Sequence, residues 1–92
     1  MQFVIYCLDK PNSQDVRKAN RDAHLAYLRE HIDKVIVAGP LLTEDGSGMI
    51  GSMLVMEFAS RAEADAFVAG DPYGKAGLFQ SVTVTPWKKV LP

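Results

Sequence analysis

The sequence predicts an α+β fold, a single domain whose elements run β-α-β-β-α-β. Three observations carry this expectation. Four apolar runs rich in β-branched and aromatic residues are punctuated by turn chemistry. Two intervening segments carry helical periodicity or a helix-start signature. The 92 residues leave room for only one modest core.

The first strand spans Gln2 to Leu8, and Pro11-Asn12-Ser13 breaks it. Ser13 is placed to cap a helix that Asp15 favours in its first turn. From Gln14 to about Ile32 no Gly or Pro interrupts. Val16, Ala19, Ala23, Tyr27, Leu28 and Ile32 share one arc, His24 and His31 belong to the same side, and Lys18, Asp22, Arg29 and Asp33 lie opposite. Val35-Ile36-Val37-Ala38 is a short buried-type strand ended by Gly39-Pro40. Glu44-Asp45-Gly46-Ser47-Gly48 closes a hairpin into the longest strand, Met49 to Phe58. Ser60-Arg61-Ala62-Glu63 reads as a capping box. The helix it opens carries Ala64, Phe67 and Val68 and stops at Gly70. A Gly-containing connection, Gly74 to Gly77, leads to the last strand, about Gln80 to Val90, where Pro86 implies an edge or a bulge. The order is the ferredoxin-like split arrangement, over residues 1–92 without repeat or linker.

The strands also predict a partner. Phe3, Ile5 and Cys7 oppose Val4, Tyr6 and Leu8, and Ile50, Leu54, Met56 and Phe58 oppose Met53 and Val55, so both sheet faces are apolar. Two helices cover only one face. A second copy stacked sheet on sheet would cover the other, which predicts a homodimer.

Composition narrows the function classes. With 48% apolar and 23% charged residues and a formal net charge of −1, the chain is an ordinary globular domain without the basic face of a nucleic-acid binder. No apolar run reaches the roughly 20 residues of a membrane span, and no signal-peptide pattern opens the sequence. The single Cys7 cannot form an internal disulfide, which fits a reducing cytoplasm; its place in a strand reads as a buried structural thiol. No His/Cys spacing suggests a metal site, and none is expected.

His24 and Asp71 are the candidate chemistry-bearing residues. A histidine oriented by a carboxylate is the simplest acid/base unit available to a protein. Each has a plain alternative. His24 could line the core bonded to a carbonyl, and Asp71, just before Pro72, could cap a turn. In this fold the end of the second helix lies beside the first half of the first, where His24 is placed, so the two could meet. Arg21, almost one turn before His24, would suit an anionic or phenolic ligand or would be an exposed charge. Tyr73 and Trp87 could line a pocket nearby. His31, seven residues after His24, reads as structural or surface. Ser52 follows Gly51 among apolar neighbours but lacks any nucleophile motif.

Arg21-Asp22-Ala23-His24-Leu25, Ala38-Gly39-Pro40-Leu41, Gly51-Ser52, Asp71-Pro72-Tyr73 and Pro86-Trp87-Lys88-Lys89-Val90 together resemble the YciI-like (YCII-related) family in order and approximate spacing. The resemblance covers essentially the whole chain. It implies a dimeric α+β barrel built from ferredoxin-like halves, an active site with a His-Asp pair at His24 and Asp71, and Ser52 close to it. Most such proteins have no assigned reaction. One branch resembles a dehydrochlorinase acting on a chlorinated hydroxyhydroquinone, with proton transfers and no cofactor, and others occur with regulatory proteins. The hairpin Leu42 to Met49 is shorter here than in the better-known bacterial members, so substrate identity does not carry over.

The expectation is thus a cofactor-independent small-molecule enzyme of elimination, isomerisation or hydrolysis type. In it His24 is the acid/base, Asp71 its orienting partner, and Arg21, Ser52 and Tyr73 contact the substrate. The alternative is a non-catalytic binding or sensing module using the same pocket. A haem- or oxygen-using enzyme of the wider barrel superfamily is a third reading, against which the shortage of haem ligands counts.

Overall fold

Phe3, Ile5 and Cys7 on one strand and Leu54 and Met56 on its neighbour are all sealed from solvent, and they define where the core lies. The computed structural model describes residues 1–92. Strands β1 (Gln2–Asp9), β2 (Val35–Leu42), β3 (Met49–Glu57) and β4 (Phe79–Trp87) form one antiparallel sheet in the order β2-β3-β1-β4. Helices α1 (Gln14–Glu30) and α2 (Arg61–Gly70) contribute to the buried face, with a single helical turn, α3 (Pro72–Lys75), following α2. The fold is ferredoxin-like, as the sequence predicts.

Register explains the two-sided strands. Cys7 pairs with Ser52, Ile5 with Leu54 and Phe3 with Met56, so these side chains share the helix-covered face. Phe58, Ala64 and Phe67 complete that core. Burying a side chain of this size is worth about 1.5–3 kcal/mol, which makes this cluster the main support of the fold. On the other face Tyr6 pairs with Met53 and Val4 with Val55, next to Val37 of β2. Tyr6, Val37, Met53 and Trp87 are exposed there.

Several details differ from the sequence reading. β2 does not end at Gly39-Pro40 but runs to Leu42, because an edge strand tolerates proline. Pro86 obeys the same rule in β4, the opposite edge. Ile50 falls where the β2–β3 register shifts, and so lies exposed rather than with Leu54 and Met56. Ser13 does not cap α1; its hydroxyl donates to the Pro11 carbonyl instead. Ser60 does cap α2, accepting from the Glu63 N–H at 3.3 Å, while Glu63 reaches back one residue further, to the Ala59 N–H.

The larger correction concerns α1. Its buried residues are Arg17 and His24, flanked by the half-buried Tyr27, Leu28 and His31. Val16, Ala19, Ala23 and Ile32, expected on the inward arc, are exposed. The helix is turned so that a polar seam faces the sheet.

Candidate functional site

That seam builds the site. His24 sits just past the middle of α1, not in its first half, and is 6% exposed. Its Nδ1 lies 2.8 Å from Asp71 Oδ1, and Asp71 is also buried. The same oxygen accepts the Tyr73 N–H at 2.9 Å, so Asp71 is the N-cap of α3 and the partner of His24 at once. Both plain and functional readings of Asp71 therefore describe one geometry. An oxygen that accepts in both contacts puts the imidazole hydrogen on Nδ1. Nε2 then carries the lone pair and has no protein partner. No buried polar side-chain atom is left unpaired, so this nitrogen reaches accessible space.

The Tyr73 ring stacks on the His24 ring, 4.0 Å between centroids and 16° between planes. The Arg17 guanidinium also lies over the Tyr73 ring, 4.5 Å from its centroid. Burial pushes the Tyr73 hydroxyl above its ordinary pKa, against the opposing pull of Arg17 and Arg21. Arg17 in turn forms two hydrogen bonds to Asp9, Nε to Oδ2 at 2.7 Å and Nη2 to Oδ1 at 3.0 Å. Nη2 also donates to Ser52 Oγ at 3.0 Å. Burial opposes its charge, but the Asp9 hydrogen bonds and charge prevail and raise its pKa further.

A cavity of about 150 Å³ opens against this cluster. Arg17, Arg21, His24, Ser52 and Tyr73 supply its polar wall, and Leu25, Leu28, Pro40 and Leu54 are among its apolar residues. Of the five site residues expected from sequence, four thus border the cavity and Asp71 stands behind His24. Arg21 is exposed at this wall without an ion-pair partner. Trp87 is not part of it. It pairs with Gln2 at the other end of β1 and borders a wider hollow of about 620 Å³ that contains no buried acid/base pair. His31 is held by the Tyr27 carbonyl and packs on Phe67, a structural role as expected.

The residues missed from sequence are Arg17 and Asp9. The spacing of seven that puts His31 on the face of His24 puts Arg17 there too, two turns earlier. Asp9, ending β1, carries no comparable signal.

Fold and site define a ferredoxin-like α+β domain with a single-ring-sized cavity beside a buried His–Asp pair. The chain belongs to the YCII-related family, whose model, the YCII-related domain, matches residues 1–88. It is 39% identical to Protein YciI of Escherichia coli O6:H1, over 98% of this chain and 99% of that one. An uncharacterized Haemophilus influenzae protein is 35% identical over the same shares. Among solved structures, 5-chloro-2-hydroxyhydroquinone dehydrochlorinase from Burkholderia phenoliruptrix AC1100, in complex with 2,5-dihydroxybenzoquinone, is similar with a TM-score of 0.90. Identity is 46%, covering 96% of this chain and 94% of that one. An antibiotic biosynthesis monooxygenase, at 14% identity and a TM-score of 0.58, shares the fold alone.

Proposed function

We propose that this protein is a cofactor-independent enzyme that moves protons on a small oxygenated ring compound, with elimination as the reaction class. The observation that carries the reading is His24: its Nδ1 is committed to Asp71, its Nε2 has no protein partner, and the residue lines a cavity of single-ring size. In this reading Nε2 takes a proton from the substrate, the freed electron pair moves into the ring, and a leaving group departs from it. The proton and the leaving group depart together as HX, so the step needs no oxidant or reductant. Asp71 holds the tautomer and supports the charged imidazole, and Tyr73 supplies a stacking surface. Arg17 stabilises negative charge developing on ring oxygen, with Ser52 fixing its fork, and Arg21 contacts the substrate from the cavity wall. The dehydrochlorinase at 46% identity supports the choice of reaction class. The working unit is a homodimer joined through its sheets, in the reducing cytoplasm.

The test is halide release from a panel of chlorinated hydroxyhydroquinones. Wild type turns over; His24→Ala and Asp71→Asn each lose about 10²–10⁴-fold, and the double variant is little worse than either. ¹⁵N NMR of the imidazole shows the Nδ1–H tautomer in wild type and a redistributed one in Asp71→Asn. Saturable binding without product identifies a binding or sensing module instead. Undiminished activity in folded His24→Ala removes the acid/base reading.

A further inference from the structure

Beside the cavity, the same helix borders a second hollow that the acid/base reading does not use. A groove of about 440 Å³ is lined by Gln14, Arg17, Lys18 and Arg21 of α1 and by Ser47 and Gly48 of the β2–β3 hairpin. Arg17, Arg21 and Met49 border both the groove and the 150 Å³ cavity, so the two adjoin.

Charge in this region is one-sided. The chain has 11 acidic and 10 basic residues, yet no carboxylate lines either hollow. Asp9 already offsets Arg17. Lys18 and Arg21 have no carboxylate within ion-pair distance, although Asp22 follows Lys18 by one turn. Of the hairpin's two acids, Asp45 is tied into its own turn by Thr43 and Ser47, and Glu44 lines neither hollow. Arg21 at the shared wall and Lys18 in the adjoining groove are therefore two cations without a protein anion. The chemistry of a matching anion follows from what the hairpin withholds. A phosphate favours a nest of backbone N–H groups, but the Ser47 N–H is spent on Asp45 and the Gly48 N–H on Thr43 Oγ1. A carboxylate needs only the guanidinium fork and an ammonium.

We infer that the groove is an acid-group subsite, so that the ligand is a single-ring compound carrying an ionised carboxylate. Its ring lies against His24 in the cavity, and its carboxylate is held by Arg21 and Lys18. The inference rests on the reading of the cavity as the ring site, and it names the substrate class within that reading.

Titration calorimetry with hydroquinone and 2,5-dihydroxybenzoate tests it without requiring turnover. The carboxylated probe binds about tenfold more tightly at low salt, and the preference shrinks as salt screens the exposed pair. In the Lys18→Gln/Arg21→Gln variant, which changes only exposed side chains, the ratio of the two affinities falls to about one. Equal affinities in wild type, an undiminished preference in the variant, or no binding of either probe at millimolar concentration each overturn the subsite. His24-dependent halide release from uncharged rings, with no carboxylate preference, would sink the subsite and leave the enzyme reading standing. A carboxylate preference that depends on Lys18 and Arg21, in a protein without turnover, would do the reverse.

Discussion

Single atoms in this site serve two purposes. Asp71 Oδ1 caps a helical turn and holds His24 with the same oxygen, and Arg17 Nη2 is shared between Asp9 and Ser52. Such sharing leaves each charge satisfied on the protein side and directs the imidazole's free nitrogen outward. Cys7, which pairs across the sheet with Ser52, illustrates the opposite outcome. Burial first, and then the charges of Asp71 and Asp9, push its thiol up to about 12 despite Arg17. The thiolate is the reactive form, so iodoacetamide labels native protein slowly at pH 8.5 and labels unfolded protein quickly. The stability consequence has a definite sign. An unfolded thiol ionises near ~8.5 and the folded one near about 12, so the unfolded state loses its proton first. Stability therefore falls as pH rises through this window, by at most about 1.4 kcal/mol per pH unit. Cys7→Ala flattens that alkaline slope in urea titrations at pH 8 to 10. Rapid native alkylation, or an unchanged slope, would contradict the assigned burial.

The elements show why part of the site was legible and part was not. The succession of strands and helices, both long helices and the Ser60 cap follow from patterns that act within a few residues, and these the chain displays openly. His24 and Asp71 were legible as chemistry because each stands where a scaffold would use something apolar or neutral. The rotation of α1 was not, because periodicity weighs apolar residues as inward. Here the buried stripe is Arg17 and His24, whose partners come from β1, β3 and the α2–α3 region and not from neighbours within one helical turn. Packing of α1 on α2 also depends on a residue without a side chain. Gly70 ends α2 without a left-handed conformation. Its role is space, since an added Cβ would overlap the Tyr27 hydroxyl, which donates to the Phe67 carbonyl at 2.8 Å. The Tyr27 ring is packed on both Phe67 and His31, so its retreat would disturb both contacts. Gly70→Ala accordingly destabilises by about 1–3 kcal/mol despite the better helix propensity of alanine. Adding Tyr27→Phe removes the overlapping oxygen, so the double variant is more stable than the sum of the single effects predicts. Additive losses in urea unfolding would show that the two sites do not press on each other.

The whole molecule has one face that its own chain leaves bare. Scattered exposed apolar side chains are normal on any protein. What matters is that these adjoin: Tyr6 pairs with Met53, and Val37, Leu8 and Trp87 lie on the same sheet face around the buried Val55. Tyr6, Leu8, Met53 and Trp87 are each about two-fifths exposed, against near-total burial of their neighbours on the helix side. A contiguous open patch of this kind marks an interaction surface. The partner we propose is a second copy, since a flat sheet face meets its own twin at the ~10 Å spacing of packed sheets. Sedimentation at micromolar concentration should then give twice the monomer mass, and thermal stability should rise with protein concentration, because association draws on the folded state alone. Met53→Glu puts a charge at the centre of the face without touching the helix-side core. It should shift the protein to monomer and lower its melting temperature, and the concentration dependence should vanish with it. A wild-type chain that sediments as a stable monomer, with Met53→Glu as stable as its parent, would leave the open face to some other partner and would end the dimer proposal.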